Sequence, residues 1–270
     1  MAMQLFIRGG GDLASGVALR LNRAGLAPII LELPQPLVVR RTVSFAEAVY
    51  AGEFKVEEAL ARRAEDLEQA LLWVRQGIIP VLVDPDCQSL EQARAVNNLP
   101  IVLVDARMAK RAPGYDLDFA SLIIGLGPGF SAGLDCHAVV ETMRGHFLGR
   151  VIWEGPAEPD TGLPEWDPAR VLRAPVDGIY LPEVQIGVHL EVGERVATVD
   201  GIPLLASLRG VLRGSLHPGV QVQRGMKVGD IDPRDDPRYC NFVSDKALAV
   251  GGGVLEAILS SLDLRPYLWE

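Results

Sequence analysis

The chain has 270 residues, of which 49% are apolar and 23% are charged, and its formal net charge is −9. This length suffices for one large domain or two smaller ones, and the composition is ordinary for a soluble globular protein. The acidic balance argues against nucleic acid as a partner, because that partner requires a basic surface. We also expect no membrane association, since no apolar run is long enough to span a bilayer and no signal peptide is evident.

The three cysteines, Cys87, Cys136 and Cys240, are widely separated and form no C-x-x-C pair. They imply no disulfide framework, so we expect a cytoplasmic protein in a reducing environment. Cys136 would be reactive if it were exposed near cations, whereas a buried and inert thiol is the more common case.

The first part of the chain has the pattern of a strand, a glycine turn, a helix and a second strand. An apolar run covers residues 5–8, and apolar residues then recur at helical spacing from residue 13 until Gly25, where a helix can end. A second apolar run covers residues 28–32. This order predicts the first βαβ unit of a Rossmann-like parallel α/β sheet.

The turn of this unit matches an alanine-ended dinucleotide fingerprint. Gly9, Gly10 and Gly11 precede the helix, whose N-terminus would face a phosphate with its N–H groups. Glu32 ends the second strand, where an acidic side chain can bind a ribose hydroxyl. Asp12 would repel a pyrophosphate, and the simpler interpretation is that its side chain caps the helix.

Further strands are predicted at residues 78–84 and 101–105, and helices at residues 43–51, 56–76 and 89–96. Polar residues follow the two strand ends: Asp84, Asp105, Arg107, Lys110 and Arg111. Strand ends of this type line the crevice at the carboxyl edge of an open parallel sheet.

A second glycine-rich stretch follows a predicted strand at residues 122–124. Its glycines and one serine are Gly125, Gly127, Gly129, Ser131 and Gly133. Glycine backbones can approach a ligand closely, and successive N–H groups suit an anion such as phosphate. A tight chain reversal is the alternative interpretation of the same residues.

A polar cluster that includes Thr142, Arg144 and His146 follows an apolar run at residues 138–140. Both glycine stretches follow strands that should end at one edge of the sheet, so we expect Arg144 and His146 to line the same crevice as residues 9–11. Arg144 would contact an anionic group, and His146 would donate or accept a hydrogen bond. The alternative places both side chains on the outer surface of a chain reversal.

Arg40 and Arg41 could contact phosphate, because the guanidinium fork matches its oxygens. A solvated pair of loop residues is the alternative. The residues that we expect to contact a ligand are therefore Gly9, Gly10, Gly11, Ser15, Glu32, Arg40, Arg41, Gly125, Gly127, Gly129, Ser131, Thr142, Arg144 and His146.

An internal repeat begins after a proline-rich linker at residues 156–168. Residues 174–200 recur as residues 206–232, each at an offset of 32. Two short β halves related by a pseudo-twofold axis are typical of a barrel-sandwich hybrid, the fold of biotinyl and lipoyl carrier modules. The hairpin at residues 200–206 contains no lysine, so we expect no biotin or lipoyl attachment.

These patterns predict two domains. Residues 1–168 form the Rossmann-like domain, which is joined by C-terminal helices at residues 234–270, and residues 169–233 form the barrel-sandwich hybrid as an insertion. The glycines at 251–253 predict close helix packing or approach to a ligand, and the alternative is a glycine turn between two helices.

Several motifs together resemble a known family. Gly-Leu-Gly-Pro-Gly-Phe-Ser-Ala-Gly at 125–133, Val-Val-Glu-Thr-Met-Arg-Gly-His at 139–146 and Ile-Arg-Gly-Gly-Gly-Asp-Leu-Ala-Ser-Gly at 7–16 are similar to the YqeB-type accessory family of selenium-dependent molybdenum hydroxylases. Leu-Glu-Leu-Pro at 31–34 and Arg-Arg-Thr-Val-Ser at 40–44 resemble it too. A more distant likeness to the XdhC molybdenum cofactor accessory proteins is chiefly one of nucleotide-type α/β fold. Cys136 and His137 depart from the family pattern.

The resemblance implies an accessory or maturation factor that binds a nucleotide-bearing ligand, such as a molybdenum cofactor form, and docks a client hydroxylase. A homodimer is one assembly that we consider. The chain contains no G-x-S-x-G elbow, no P-loop and no H-x-x-x-H pair, so neither catalytic residues nor a metal site is predicted. The dinucleotide fingerprint with Glu32 keeps open an NAD(P)-dependent oxidoreductase as the alternative.

Overall fold

The computed structural model describes residues 3–96, 98–111, 113–161 and 167–268. The chain forms two compact units, of which unit 1 comprises Met1–Pro34, Phe45–Asp160 and Val243–Glu270. Unit 2 comprises Gln35–Ser44 and Thr161–Phe242. These boundaries differ from the predicted ones, because a segment near Arg40 belongs to the second unit and the chain returns to the first at Val243. Positions 162–166 of the predicted linker lie outside the described residues.

Unit 1 is a mixed α/β unit. Its helices are α1 Asp12–Arg23, α2 Ala48–Ala51, α3 Leu67–Arg75, α4 Gln88–Val96 and α5 Asp245–Ser260. Its strands are β1 Gln4–Arg8, β2 Pro28–Glu32, β3 Glu53–Val56, β4 Ala59–Ala64, β5 Ile79–Val83, β6 Ile101–Asp105, β7 Leu122–Leu126, β8 Ser131–Ala132, β9 Ala138–Val140, β10 Val151–Ile152 and β11 Gly155–Pro156.

Nine of these strands form one sheet in the order β10-β9-β7-β6-β1-β2-β5-β4-β3. Only the outermost pairs, β9–β10 and β3–β4, are antiparallel, and β1 is parallel to both of its neighbours, as predicted. The chain runs from β1 to β2 on one side, whereas β6 lies on the other side of β1. The strand order therefore reverses between β1 and β6, and an open crevice forms at the carboxyl ends of strands at such a point.

The inner strands are apolar because helices and loops cover both faces of a parallel sheet. Phe6, Ile30, Val81 and Leu103 are all completely buried. Asp105 ends β6 and is completely buried as well, although it is an acid. The core thus brings a carboxylate to the carboxyl edge, where burial is costly unless the charge is paired.

The helix predicted at residues 56–76 is wrong in its first half. Residues 53–64 form the β3–β4 hairpin, in which Glu57 adopts a positive φ of 51°, and α3 begins only at Leu67. Alanine, leucine, glutamate and arginine favour a helix here, but parallel pairing of β4 with β5 outweighs that propensity.

The helix predicted at residues 43–51 is shorter than expected. Single 3₁₀ turns at Arg41–Val43 and Phe45–Glu47 precede α2. The hydroxyl of Ser44, between the two turns, donates to the carbonyl of Arg40 at 2.7 Å.

Helices α1 and α5 pack closely because glycines face each other's backbones. A Cβ atom on Gly16 would lie 2.6 Å from the Cβ of Ala247, and one on Gly251 would lie 2.8 Å from the carbonyl oxygen of Gly16. Helix α5 continues through residues 251–253 without a break. The close-packing interpretation of those glycines is therefore the right one. None of the helices in the described ranges is long and apolar enough to cross a membrane.

Unit 2 consists mainly of short strands. They are β12 Val171–Arg173, β13 Gly178–Pro182, β14 His189–Leu190, β15 Arg195–Val199, β16 Ile202–Leu205, β17 Gly210–Ser215, β18 Val220–Val222 and β19 Lys227–Asp232. They form two four-stranded antiparallel sheets in the orders β12-β19-β17-β14 and β16-β15-β13-β18.

The strand pairing in unit 2 follows the sequence repeat. Tyr180–Val199 corresponds to Leu212–Ile231, and Gly178–Val222 corresponds to Gly210–Leu190. Each sheet therefore takes two strands from each half of the repeat. At the tip of the β15–β16 hairpin, Asp200 and Gly201 both have positive φ, which is typical of a tight two-residue turn.

Candidate functional site

The glycine turn at residues 9–11 lies where β1 ends and α1 begins, next to the reversal of strand order. Gly9 adopts a positive φ of 95°, a conformation that glycine enters without steric cost. Gly11 is the N-cap residue of α1 and makes no side-chain capping hydrogen bond. Asp12 is therefore not the N-cap residue of α1. Asp12 lies in the first turn, where an acid interacts favourably with the helix dipole.

Glu32 reaches this turn from the end of β2. Its Oε1 accepts the N–H of Gly10 at 2.7 Å, and its Oε2 accepts the N–H of Leu33 at 2.6 Å. Burial raises the pKa of Glu32, and these two hydrogen bonds oppose that rise. Each carboxylate oxygen can accept a second hydrogen bond, so Glu32 retains capacity for a hydroxyl donor.

One side of the turn is packed against the chain itself. The N–H of Ala46 donates to the carbonyl of Gly10 at 2.9 Å, and a Cβ on Gly10 would lie 2.9 Å from that same nitrogen. Ser15 is completely buried; its hydroxyl donates to the carbonyl of Gly10 at 3.1 Å and accepts the N–H of Phe45 at 2.8 Å. Gly10 and Ser15 thus hold residues 45–47 against the turn.

Four side chains form a hydrogen-bonded group on the other side of the turn, which we call the edge cluster: Arg8, Asp105, Arg107 and Tyr115. Asp105 accepts three hydrogen bonds from Arg107: from the backbone N–H at 3.1 Å, from Nε at 3.0 Å and from Nη2 at 2.6 Å. The hydroxyl of Tyr115 donates to Asp105 at 2.8 Å and accepts from Nη1 of Arg8 at 2.8 Å. The buried carboxylate is therefore well paired.

The edge cluster borders Gly9 directly. A Cβ atom on Gly9 would lie 3.5 Å from Cγ of Arg107. Sequence reasoning noted Asp105 and Arg107 at a strand end, but did not count them among the ligand contacts. It missed Arg8 and Tyr115, although Arg8 immediately precedes the glycine turn and its position could have indicated its role.

Three glycines of the second stretch have other parts of the chain close to the space that a side chain would fill. A Cβ on Gly125 would overlap the ring of Phe130, and one on Gly129 would overlap the carbonyl of Ala109. Gly127 has a positive φ of 88°, and a Cβ there would lie 3.0 Å from Oγ1 of Thr142. These contacts favour the chain-reversal interpretation for this stretch. Ser131, in β8, donates its backbone N–H to Asp135 at 3.0 Å.

Arg144 follows β9, which is parallel to β7, so it lies at the same edge of the sheet as the end of β1. Its guanidinium forms two hydrogen bonds of 2.8 Å with the carboxylate of Asp245, in the first turn of α5. His146 is exposed and contacts Phe147 edge to face. A direct role of Arg144 or His146 in ligand binding stays a prediction.

The two remaining predicted contacts, Arg40 and Arg41, belong to unit 2. Nε of Arg41 donates to the carbonyl of Ser215 at 2.8 Å, and the carbonyl of the neighbouring Val39 accepts the N–H of Ser215 at 2.8 Å. These bonds attach the segment Gln35–Ser44 to β17.

Burial favours the neutral forms of Cys87, near the edge cluster, and of Tyr115, within it. Burial raises the pKa of the Cys87 thiol to about 11 and that of the Tyr115 hydroxyl well above its usual range. Cys136 is also buried, as expected, and its pKa is raised to about 12. Within the described parts of the chain, no group of three or more His, Cys, Asp or Glu residues could hold a metal ion.

A cleft of about 440 Å³ lies at the opposite edge of the sheet, near the start of β6 and β7. Arg94, Ser121 and His137 are among its lining residues. Nδ1 of His137 accepts the N–H of Ile123 at 2.9 Å, and burial lowers the pKa of this histidine. We favour the carboxyl edge as the candidate site, because the glycine turn and the edge cluster meet there.

Comparison with known proteins gives one close sequence relative. The chain is 47% identical over 257 residues to the protein named "Uncharacterized protein YqeB" of Escherichia coli strain K12, which covers 94% of this chain and 47% of that protein. The chain thus spans about half the length of this curated relative. No protein-family model matches this chain.

Three solved structures show only a weak likeness. A succinylglutamate desuccinylase/aspartoacylase of Rhodobacter sphaeroides is 24% identical, with a TM-score of 0.22 over 30% of each chain. An aspartoacylase family protein of Mesorhizobium loti is 9% identical, with a TM-score of 0.22 over 85% of this chain and 52% of that one. The ectoine utilization protein EutE of Ruegeria pomeroyi is 12% identical, with a TM-score of 0.25 over 85% of this chain and 86% of that one. The sequence likeness, which extends over nearly all of this chain, supports its place in the YqeB-type family.

Proposed function

We propose that this chain is an accessory or maturation factor for molybdenum hydroxylases, including selenium-dependent ones, and that it binds a nucleotide-bearing ligand at the carboxyl edge of unit 1. The observation that carries the proposal is the hydrogen bond between Glu32 and Gly10, which joins the end of β2 to the glycine turn beside the reversal of strand order. This is the position at which doubly wound sheets bind nucleotides. The Rossmann-like and barrel-sandwich hybrid classifications belong to the same proposal.

The chemistry of the edge favours binding over catalysis. A catalytic acid, base or nucleophile needs a pKa close to the working pH. Burial instead raises the pKa of Cys87 and of Tyr115, so neither side chain is activated as a nucleophile or base. The other strong features of the edge are a guanidinium, a glycine turn and a helix N-terminus, all of which suit an anion.

A molybdenum cofactor form fits this edge through its phosphate-bearing part. Arg107 would hold an anionic group, and Glu32 would accept a hydroxyl. Cys87 does not fit as a ligand of the metal centre, because a thiol with a raised pKa is rarely the thiolate that a soft metal prefers. When bound, the cofactor would carry the redox chemistry that the client enzyme uses.

The proposal is tested by identifying what the purified protein carries. The chain is purified, its absorbance is scanned, and small molecules released by denaturation are identified by mass spectrometry. We expect a nucleotide-bearing molecule in stoichiometric amount, and its loss in Glu32→Ala. Glu53→Ala is the matched control, because Glu53 is an acid at the exposed β3–β4 edge. Release of the same molecule in equal amount from Glu32→Ala would contradict the proposal.

An NAD(P)-dependent oxidoreductase is the second candidate, and the observation in its favour is again the acid at the end of β2. The packing of Ala46 against Gly10 counts against it, because that side of the turn is where a pyrophosphate would pass closely. Fluorescence titration of the purified chain with NADH distinguishes the two candidates. Saturable binding that NAD⁺ displaces would favour the oxidoreductase, whereas its absence favours the accessory role.

A further inference from the structure

The two sides of the glycine turn differ in what a ligand can reach. On one side, the backbone of Ala46 lies so close to Gly10 that no room remains between them. On the other side, the nearest atoms to a Cβ on Gly9 are those of Arg107 and the preceding carbonyl carbon, at 3.5 and 3.6 Å. A ligand that approaches the turn therefore meets the side chain of Arg107 first.

The guanidinium of Arg107 is held in place and only partly used. Its Nε and Nη2 bind Asp105, while 37% of its side chain remains exposed. A guanidinium has five N–H groups, so three of them are not needed for these bonds. The exposed part of the fork can thus bind a further anion.

The group that holds Arg107 is rigid for a physical reason. Asp105 is completely buried, and a buried carboxylate that loses its partners is strongly destabilising. Tyr115 donates a further hydrogen bond to Asp105 and itself accepts one from Arg8, so the carboxylate is fixed from two sides. A receptor that is already ordered loses little conformational entropy when it binds.

We infer that Arg107 is the residue that recognises the anionic group of the ligand, that Asp105 and Tyr115 are its positioning residues, and that this group is a phosphate which enters from the Gly9 side of the turn. The inference rests on the proposed function, because it names the contact of that same site. It places the phosphate beside Arg107 on the Gly9 side of the turn, rather than across Gly10.

The test is equilibrium binding of inorganic pyrophosphate, AMP and CTP to the full chain, measured by calorimetry at two ionic strengths. We expect Arg107→Gln to weaken pyrophosphate binding by about 10- to 100-fold, as loss of charge-assisted hydrogen bonds does. Arg107→Lys keeps the charge without the fork and should recover part of the affinity. Arg62→Gln is the control, because Arg62 pairs with Glu53 away from the glycine turn.

Because Arg107→Gln leaves Asp105 with fewer partners, the double variant Arg107→Gln/Asp105→Asn provides a second measurement without a buried charge. It should show the same loss of binding with a better retained unfolding temperature. Tyr115→Phe should weaken binding less than Arg107→Gln and should leave the dependence on salt unchanged, since the exposed charge remains. If these residues had only a structural role, the variants would shift the unfolding temperature without this difference in pyrophosphate affinity between Tyr115→Phe and Arg107→Gln.

The outcomes separate the inference from the proposed function. Unchanged pyrophosphate affinity in Arg107→Gln and in the double variant, or no pyrophosphate binding by the wild-type chain, would overturn the role of Arg107. If the wild-type chain binds pyrophosphate through Arg107 but neither AMP nor CTP, and no nucleotide-bearing molecule is released from it, then the inference stands and the proposed function fails.

Discussion

The carboxylate of Glu32 and the backbone N–H of Gly10 are joined by a hydrogen bond of 2.7 Å, across 22 residues of sequence. The bond fastens the end of β2 to the turn that follows β1. It also places a carboxylate at an N–H group that a phosphate would otherwise use. The turn therefore has an acidic side at Glu32 and a basic side at Arg107, and a ligand with both a hydroxyl and an anionic group matches the two.

The first prediction concerns the pH dependence of Glu32→Gln. Burial raises the pKa of Glu32 in the folded state above the ordinary 4.5, so the folded state binds the proton more tightly than the unfolded state. Its contribution to stability is fully present below about pH 4.5 and is lost as the pH rises through the folded-state pKa. The free energy of unfolding of the wild type, minus that of the variant, should fall over this range. Denaturant unfolding at several pH values measures it, with Glu53→Gln as the control; a difference that rises with pH would contradict the assignment.

The second prediction is that Gly10→Ala destabilises unit 1. The added Cβ would lie 2.9 Å from the nitrogen of Ala46, which is backbone and cannot rotate away. We expect a loss of about 1–3 kcal/mol, which is typical of overpacking. Gly252→Ala is the control, because its Cβ position is surrounded by open space. Equal stability of Gly10→Ala and wild type would show that residues 45–47 move away readily.

The third prediction compares two neighbouring glycines of α5. Gly252 has no atom within 4 Å of its Cβ position, so Gly252→Ala should stabilise the protein by about 0.5–1 kcal/mol through helix propensity. A Cβ on Gly251 would lie 2.8 Å from the carbonyl oxygen of Gly16, so Gly251→Ala should destabilise by about 1–3 kcal/mol. Thermal unfolding of both variants measures the difference. The same sign of change in both would argue against close packing of α1 on α5.

The fourth prediction concerns Asp232 in unit 2. Burial alone would raise its pKa, but hydrogen bonds from Arg234 and the charge of Arg213 lower the pKa to about 2. Its stabilising contribution is therefore present above about pH 4 and is lost as the pH falls through about 2. Asp232→Asn should cost about 3 kcal/mol at neutral pH, because Arg213 is left buried with a weakened partner.

The difference between Asp232→Asn and the wild type should shrink in acid, as the wild-type carboxylate itself becomes protonated. Denaturant unfolding at neutral pH and near pH 2 provides the measurement. Asp236→Asn is the control, because Asp236 pairs with the exposed Arg238. A difference that grew in acid would contradict the lowered pKa.

Local periodicity was sufficient to predict four inner strands of the large sheet. The apolar runs at β1, β2, β5 and β6 are short, buried on both faces and bounded by glycine or acid, so the parallel sheet followed from them. The β3–β4 hairpin could not be predicted in the same way. Its alanines, leucine and arginines favour a helix, whereas β4 pairs with β3 and also with β5, which lies beyond α3 in sequence.

The candidate site was predicted only in part, for a related reason. Gly10 and Glu32 follow from the βαβ pattern, and their contact across the turn needs no further information. The role of Tyr115 depends on a long connection after β6 that returns to Arg8, which no local spacing reveals. Conversely, Gly125 and Gly129 have the composition of an anion-binding loop, yet Phe130 and Ala109 occupy the space that their missing side chains leave.

The exchange of strands between the two halves of the repeat makes unit 2 indivisible. Each of its sheets needs β12 and β14 or β13 and β15 from the first half, together with strands from the second. A chain cut at residue 206 would leave β12 without β19, β14 without β17 and β13 without β18, and only β15 would keep both of its neighbours. A shortened protein would therefore lose the entire module at once, and a deletion series across residues 171–232 would divide sharply into intact and unfolded products rather than showing gradual loss.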